Sequence, residues 1–151
     1  MAFKSNLWQW NWLWKIRLVI FKNEHLKVKL MNKKSIGKSA EDFVCEYLKS
    51  KNYLVLEQNW SCGLGEIDII AKDNNELVFV EVRCKKKTSK IKPEETVSFA
   101  KRQKIAGAIE EYIRNNKLQM PVRCDFVGVV YSLVCDVATF EIENHIIGFE
   151  I

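Results

Sequence analysis

The sequence predicts an α/β domain: a mixed central sheet flanked by helices. Residues 66–71 and 77–83 alternate apolar and polar positions on either side of Asp73-Asn74-Asn75-Glu76, the pattern of a β-hairpin. Two other segments, 39–50 and 95–116, place apolar residues at helical spacing. Residues 122–131 form an almost unbroken apolar run, as a strand buried on both faces requires. Helices interrupt the strands without regular βαβ alternation, so the sheet is expected to be mixed. At 151 residues, 48% hydrophobic and 28% charged, the chain suits one domain with a proper core and has no repeat or low-complexity tract.

The charge of +5 is unevenly spread. Residues 1–34 carry eight Lys/Arg and one acid, and the remainder carries 16 Lys/Arg and 18 acids. Residues 1–34 therefore read as a basic extension, rich in tryptophan (Trp8, Trp10, Trp12, Trp14), and residues 35–151 as the domain. Met31 begins Met-Asn-Lys-Lys, which resembles an ordinary start, so residues 1–30 are expected to be an extension or a misplaced translation start that the fold does not need. Gln9, Asn11, Lys15 and Arg17 break the apolar stretch well short of the ~20 residues of a membrane span, and no small-residue cleavage site follows. Stable membrane insertion is not expected, although a Trp-rich cationic segment suits a membrane surface.

Taken in order, the first element of the domain is a helix over 39–50, with Ala40, Phe43, Val44, Tyr47 and Leu48 on one face. Ser39-x-x-Asp42 reads as its capping box, which puts Glu41 in the first turn, where an acid stabilises a helix by ~0.3 to 1 kcal/mol whatever else it does. A strand over 53–58 and a loop over 59–64 lead to the hairpin. Trp60 in that loop reads as a cover for the core edge, with stacking on a base as the alternative. Cys84 to Pro93, containing Lys85, Lys86, Lys87, Lys90 and Lys92, reads as a mobile loop. The second helix, 95–116, faces the core in its C-terminal half, while Lys101 and Lys104 continue its stripe toward a substrate groove. Strands over 122–131 and 137–143 and a tail with Phe149 packed complete the domain.

With Asn74 and Asn75 as the loop, Val78 faces Ala71, Phe79 faces Ile70, and Glu81 faces Asp68. Such neighbours have Cβ atoms ~4.5 to 5.5 Å apart, and like charges there destabilise a sheet. A loop centred one residue earlier makes the pairing diagonal, still within reach of one ion. Taken singly, each acid reads as a solvated strand-end charge. Two acids and a base, Arg83, brought together on otherwise apolar strands break the local rules in the way functional sites do. A hard cation such as Mg²⁺, which takes one or two protein carboxylates with phosphates and water, offsets the repulsion.

Asp68 followed by Glu81-Val82-Arg83 resembles the PD-(D/E)XK nuclease signature, with Arg83 where most members have lysine. Gly65-Glu66-Ile67-Asp68-Ile69-Ile70-Ala71, Leu77 to Arg83 and Cys124-Asp125-Phe126-Val127 resemble more narrowly the YraN-like family of candidate endonucleases, itself similar to archaeal Holliday junction resolvases. The resemblance covers about residue 37 to the C-terminus. It implies the restriction endonuclease-like fold, a metal site of Asp68, Glu81 and the Val82 carbonyl, an acid approaching from the first helix at Glu41, and a basic residue on the second helix at Lys104.

The expected function is therefore metal-dependent hydrolysis of DNA phosphodiester bonds, with branched or otherwise structured DNA as a candidate substrate. Asp68 and Glu81 would hold Mg²⁺ or Mn²⁺, and Arg83 would stabilise developing negative charge. Arg83 cannot serve as general base, since guanidinium keeps its proton. Residues 83–104 hold nine Lys/Arg and two acids. Within that stripe Lys85, Lys86, Lys87, Lys101 and Lys104 are the expected phosphate contacts, against the alternative of a solvated charge run. The rival reading is a nucleic-acid-binding module with weak or no activity. No small-molecule cofactor is expected, and a homodimer stays open because junction cutters generally need two active sites. Five cysteines without C-x-x-C spacing give neither a zinc site nor a disulfide framework, in keeping with a cytoplasmic location.

Overall fold

A computed structural model describes residues 33–134 and 137–151. The expectations for an N-terminal extension and a start at Met31 concern residues that lie, up to residue 32, outside the described part. The elements are α1 (Lys33–Ser50), β1 (Leu54–Ser61), β2 (Glu66–Asp73), β3 (Glu76–Lys86), α2 (Phe99–Asn116), β4 (Val122–Val134) and β5 (Val137–Ile146). The strands form one sheet in the order β1-β2-β3-β4-β5, antiparallel except for the parallel pair β3 and β4. This is the mixed α/β sheet the sequence predicts, consistent with a restriction endonuclease-like architecture.

The period-two pattern of β3 sorts its side chains between two cores. Val78, Val80 and Val82 pack with Ile69, Ala71, Val127 and the Ala40, Val44 and Leu48 stripe of α1. Leu77 and Phe79 face the other way, onto Ile105, Ala108, Ile109 and Tyr112 of α2. The hairpin register is the expected one, with Ala71 opposite Val78 and Ile70 opposite Phe79.

Several boundaries differ from expectation. α1 is already helical at Lys33, because Ile36 extends the buried 40-44-48 stripe by one turn. Ser39 and Asp42 are therefore interior, Asp42 pairs with Lys38 at 3.3 Å, and Glu41 belongs to no first turn. β1 runs through Trp60, which pairs with Ile67 and packs edge-on against Tyr112 with ring centroids 5.1 Å apart. That contact places Trp60 at the core edge. Lys85 and Lys86 lie in a strand and not in a loop, since β3 pairs with β4 as far as Lys86 opposite Tyr131. α2 starts at Phe99, with Ser98 as its N-cap accepting the Lys101 N–H, and Glu94–Thr96 form a separate 3-10 turn. β4 and β5 extend three residues beyond the expected ends, and Phe149 packs on Phe126 as anticipated.

Gly65 governs how closely the hairpin approaches α2: a Cβ there would lie 2.6 Å from the Lys104 carbonyl oxygen. No described helix is long and apolar enough to cross a membrane.

Candidate functional site

The regular pairing of β2 with β3 ends at Ile69 opposite Val80. Ile67 and Ile69, two residues apart, should share a face, yet Ile67 packs in the α2-side core and Ile69 in the α1-side core. The strand therefore turns over at Asp68. On β1 the residue between the pairs Gln58/Ile69 and Trp60/Ile67 is Asn59, whose φ of 55° is left-handed, so both strands are irregular at this point. Asp68 Oδ2 accepts the Val82 N–H at 2.7 Å, taking a donor that a regular ladder would pair with backbone. A strand residue presents its N–H and C=O to the same neighbour, so the Val82 carbonyl also faces the Asp68 side.

Next to this break, Glu81 is 2% exposed. Arg83 Nη2 lies 2.7 Å from its Oε1, and Lys101 Nζ lies 3.4 Å from its Oε2. Both are ion-pair contacts: the Arg83 guanidinium is close but poorly aligned, and Lys101 reaches the other oxygen only at the long end of hydrogen-bond range. Burial, then the charge of Asp68, pushes the Glu81 carboxyl up to about 7, against the pull of Arg83 and Lys101. Burial also raises Asp68, opposed chiefly by the Val82 N–H. From α1, half-buried Glu41 is raised first by burial and then by Asp68, and its Oε2 is buried without a partner. The structure thus gathers Glu41, Asp68, Glu81 and Arg83 as expected, and adds Lys101.

Lys101 was expected at a phosphate-binding surface. Its side chain is only 18% exposed and lies between Glu81 and Glu66, 3.6 Å from the latter. A signal was present: four residues before buried Ile105, Lys101 lies on the inward stripe of the helix.

Arg83 and Lys101 also line a groove of about 610 Å³, together with Lys33 and Gly37 of α1, Lys85 and Lys86 of β3, Thr96 and Ser98 before α2, and Tyr131 of β4. Of the lysines expected to meet phosphate, Lys85, Lys86 and Lys101 line this groove. Lys87 turns to β5, with its Nζ 2.8 Å from both carboxylate oxygens of Glu141, and exposed Lys104 is not in the lining. Sequence reading missed Lys33, because the helix was expected to start later, and Tyr131, because it ends an apolar run.

A second buried carboxylate is fully supplied with donors. Asp125, fully buried, accepts from Arg123 Nε at 3.0 Å and the Gly148 N–H at 3.1 Å, and meets His145 Nε2 at 3.2 Å. Burial alone would raise its carboxyl, but His145, Arg123 and the Gly148 amide together hold it below the ordinary value. Arg123 also binds Asp73 at 2.8 Å, Glu76, and the Tyr53 hydroxyl at 2.9 Å. The arrangement leaves nothing for a ligand to satisfy.

The donors at Asp68 and Glu81 fit a hard divalent cation. All are oxygens, those of Glu81 and one of Glu41 lack donors, and the acids repel one another. Among the described residues no three His, Cys, Asp or Glu side chains form a ready-made cage, so an ion here would complete its shell with backbone, water or substrate oxygens.

Residues 40–129 match the family described as "Uncharacterised protein family UPF0102". The chain is 39% identical over 112 residues to a UPF0102 protein of Dictyoglomus turgidum, covering 74% of this chain and 95% of that protein. It is 38% identical over 122 residues to one of Caldanaerobacter subterraneus subsp. tengcongensis, covering 80% and 98%. With one of Clostridioides difficile it shares 43% identity over 100 residues, covering 66% and 88%.

Proposed function

The chain belongs to the uncharacterised protein family UPF0102, and we propose that it is a metal-dependent endonuclease that hydrolyses DNA phosphodiester bonds. The observation that carries this reading is the pair of half-buried Asp68 and buried Glu81, the latter short of directed donors, behind Arg83 and Lys101, which line a lysine-rich groove. Asp68, Glu81 and the Val82 carbonyl would hold Mg²⁺ or Mn²⁺, which when bound lowers the pKa of a water and neutralises phosphate charge. Lys85 and Lys86 bind the strand through its phosphates, a contact indifferent to sequence and sensitive to salt. A guanidinium is not a general base, so Arg83 stabilises negative charge on the phosphate and moves no proton. Lys101, held between Glu66 and Glu81, adds a second fixed positive charge beside the scissile group. The charge of Asp68 acts on Glu41, and the added acid strengthens the demand for a cation there.

One observation favours the rival reading of a binding module without activity: Arg83 and Lys101 already stand at ion-pair distance from Glu81. Incubating labelled duplex, flap, junction and single-stranded DNA with Mg²⁺ or Mn²⁺ separates the two. The nuclease predicts metal-dependent cleavage of at least one substrate, lost in Glu81→Gln. Binding without cleavage under every condition leaves the module.

A further inference from the structure

We propose that the groove takes a single unpaired polynucleotide strand and excludes duplex, so that the substrate is single-stranded DNA or an unpaired flap. This rests on the reading of Asp68 and Glu81 as the reaction centre. β3 is eleven residues long, but β2 pairs with it only between Glu76 and Val80. Beyond that point β3 continues to Lys86 with β4 on one side. The groove therefore runs along the edge of β3 that β2 has left. α1 contributes one wall through Lys33, and Ser98 and Lys101 contribute the other.

Its volume of about 610 Å³ is that of a small-ligand pocket. Glu81, reached through Arg83 and Lys101, is 2% exposed. A phosphodiester must descend into this space to approach the acids. A stacked duplex is stiff and would have to unpair and unstack to do so, whereas an unpaired strand has already met that cost. Cations line both walls, and the half-buried Tyr131 ring stands among them as an aromatic platform, the combination that binds single strands without sequence preference.

The test measures fluorescence anisotropy of a short labelled single strand, its blunt duplex and a four-way junction, in EDTA so that nothing is cut. The single strand is expected to bind at least about tenfold tighter than the duplex. Exchanging exposed Lys33 and Lys86 together for Glu should abolish that preference while the melting temperature stays near wild type. Tyr131→Leu should weaken single-strand binding about fivefold or more and Tyr131→Phe should retain it. Duplex or junction bound as tightly as the single strand, or no binding of any of them, overturns the proposal. The nuclease reading fails separately: a single-strand preference without cleavage in Mg²⁺ or Mn²⁺ sinks the enzyme and keeps the groove assignment, while cleavage of a preferred duplex does the reverse.

Discussion

Glu81 and Asp125 are buried carboxylates on adjacent parallel strands, where Val80 pairs with Asp125 and Glu81 with Phe126, so the two acids project from opposite faces of the sheet. On the α1 face Asp125 receives guanidinium, imidazole and amide donors, and its carboxyl is held low. On the α2 face Glu81 has two cations nearby, no directed donor and a like charge at Asp68, and its carboxyl is driven up. Burial is common to both. What differs is whether the fold completes the coordination, and an acid left incomplete is the one poised for a ligand.

Asp125→Ala tests that contrast most forcefully. Removing one partner of a buried charge network costs about 3 to 5 kcal/mol, so denaturant unfolding should show a loss of that size, while Mn²⁺ binding to the folded protein should persist. Loss of metal binding in a folded Asp125 variant would dissolve the distinction between the regions.

The pH dependence sharpens the contrast, because the two acids act with opposite sign. Glu81 binds its proton more tightly folded than unfolded, so its effect on stability falls as pH rises from about 4.5 to about 7 and is level above. The loss is on the order of 3 kcal/mol across that window, and metal-free Glu81→Gln should recover up to about that much at pH 8. Asp68→Asn should also raise the metal-free melting temperature. Asp125 stabilises above the ordinary carboxylate value and loses its contribution as pH falls through its depressed one. Asp125→Asn should therefore change the acid limb of a stability profile and leave the 4.5 to 7 limb intact. A wild-type profile flat over that limb would mean that Glu81 is solvated.

Metal provides the next effect. At a hundredfold excess over Kd, Mg²⁺ or Mn²⁺ should stabilise the wild type by about 2.7 kcal/mol, and Glu81→Gln or Asp68→Asn should gain much less in the same thermal scan. An equal gain in these variants would move the cation elsewhere.

The smallest effect concerns the lysines. Replacing Lys85, Lys86 and Lys87 together by Ala should flatten the salt dependence of DNA binding by about two phosphate contacts. Sequence alone suggests three, but Lys87 is held by Glu141. Lys87→Ala by itself should leave the salt slope unchanged. A full unit lost there would show that Lys87 leaves Glu141 for phosphate.

The sequence by itself determined the hairpin and its register as far as Ile69 opposite Val80, because side chains alternate with period two and one polar turn sets the offset. The expected facing of Asp68 and Glu81 gives way to the break at Asp68, which takes the Val82 N–H instead. Sorting Val78, Val80 and Val82 from Leu77, Phe79 and Glu81 follows from the same arithmetic. Tertiary structure decided the rest. The local cap signal at Ser39 gave way to a helix that runs back past buried Ile36 to Lys33, and the run at Lys85 and Lys86 became strand because Val130 and Tyr131 of β4 pair with it from far along the chain. Lys101 joined the acids because α2 crosses the hairpin where Gly65 lets the backbones meet. Asp125 and Glu81 look alike in a sequence, each a lone acid in an apolar strand. Their difference lies in neighbours: Arg123, His145 and Gly148 supply Asp125 with well-directed donors, whereas Glu81 has two cations at ion-pair distance and a like charge at Asp68, and the energy of a buried charge is set by such neighbours, which only the folded chain assembles.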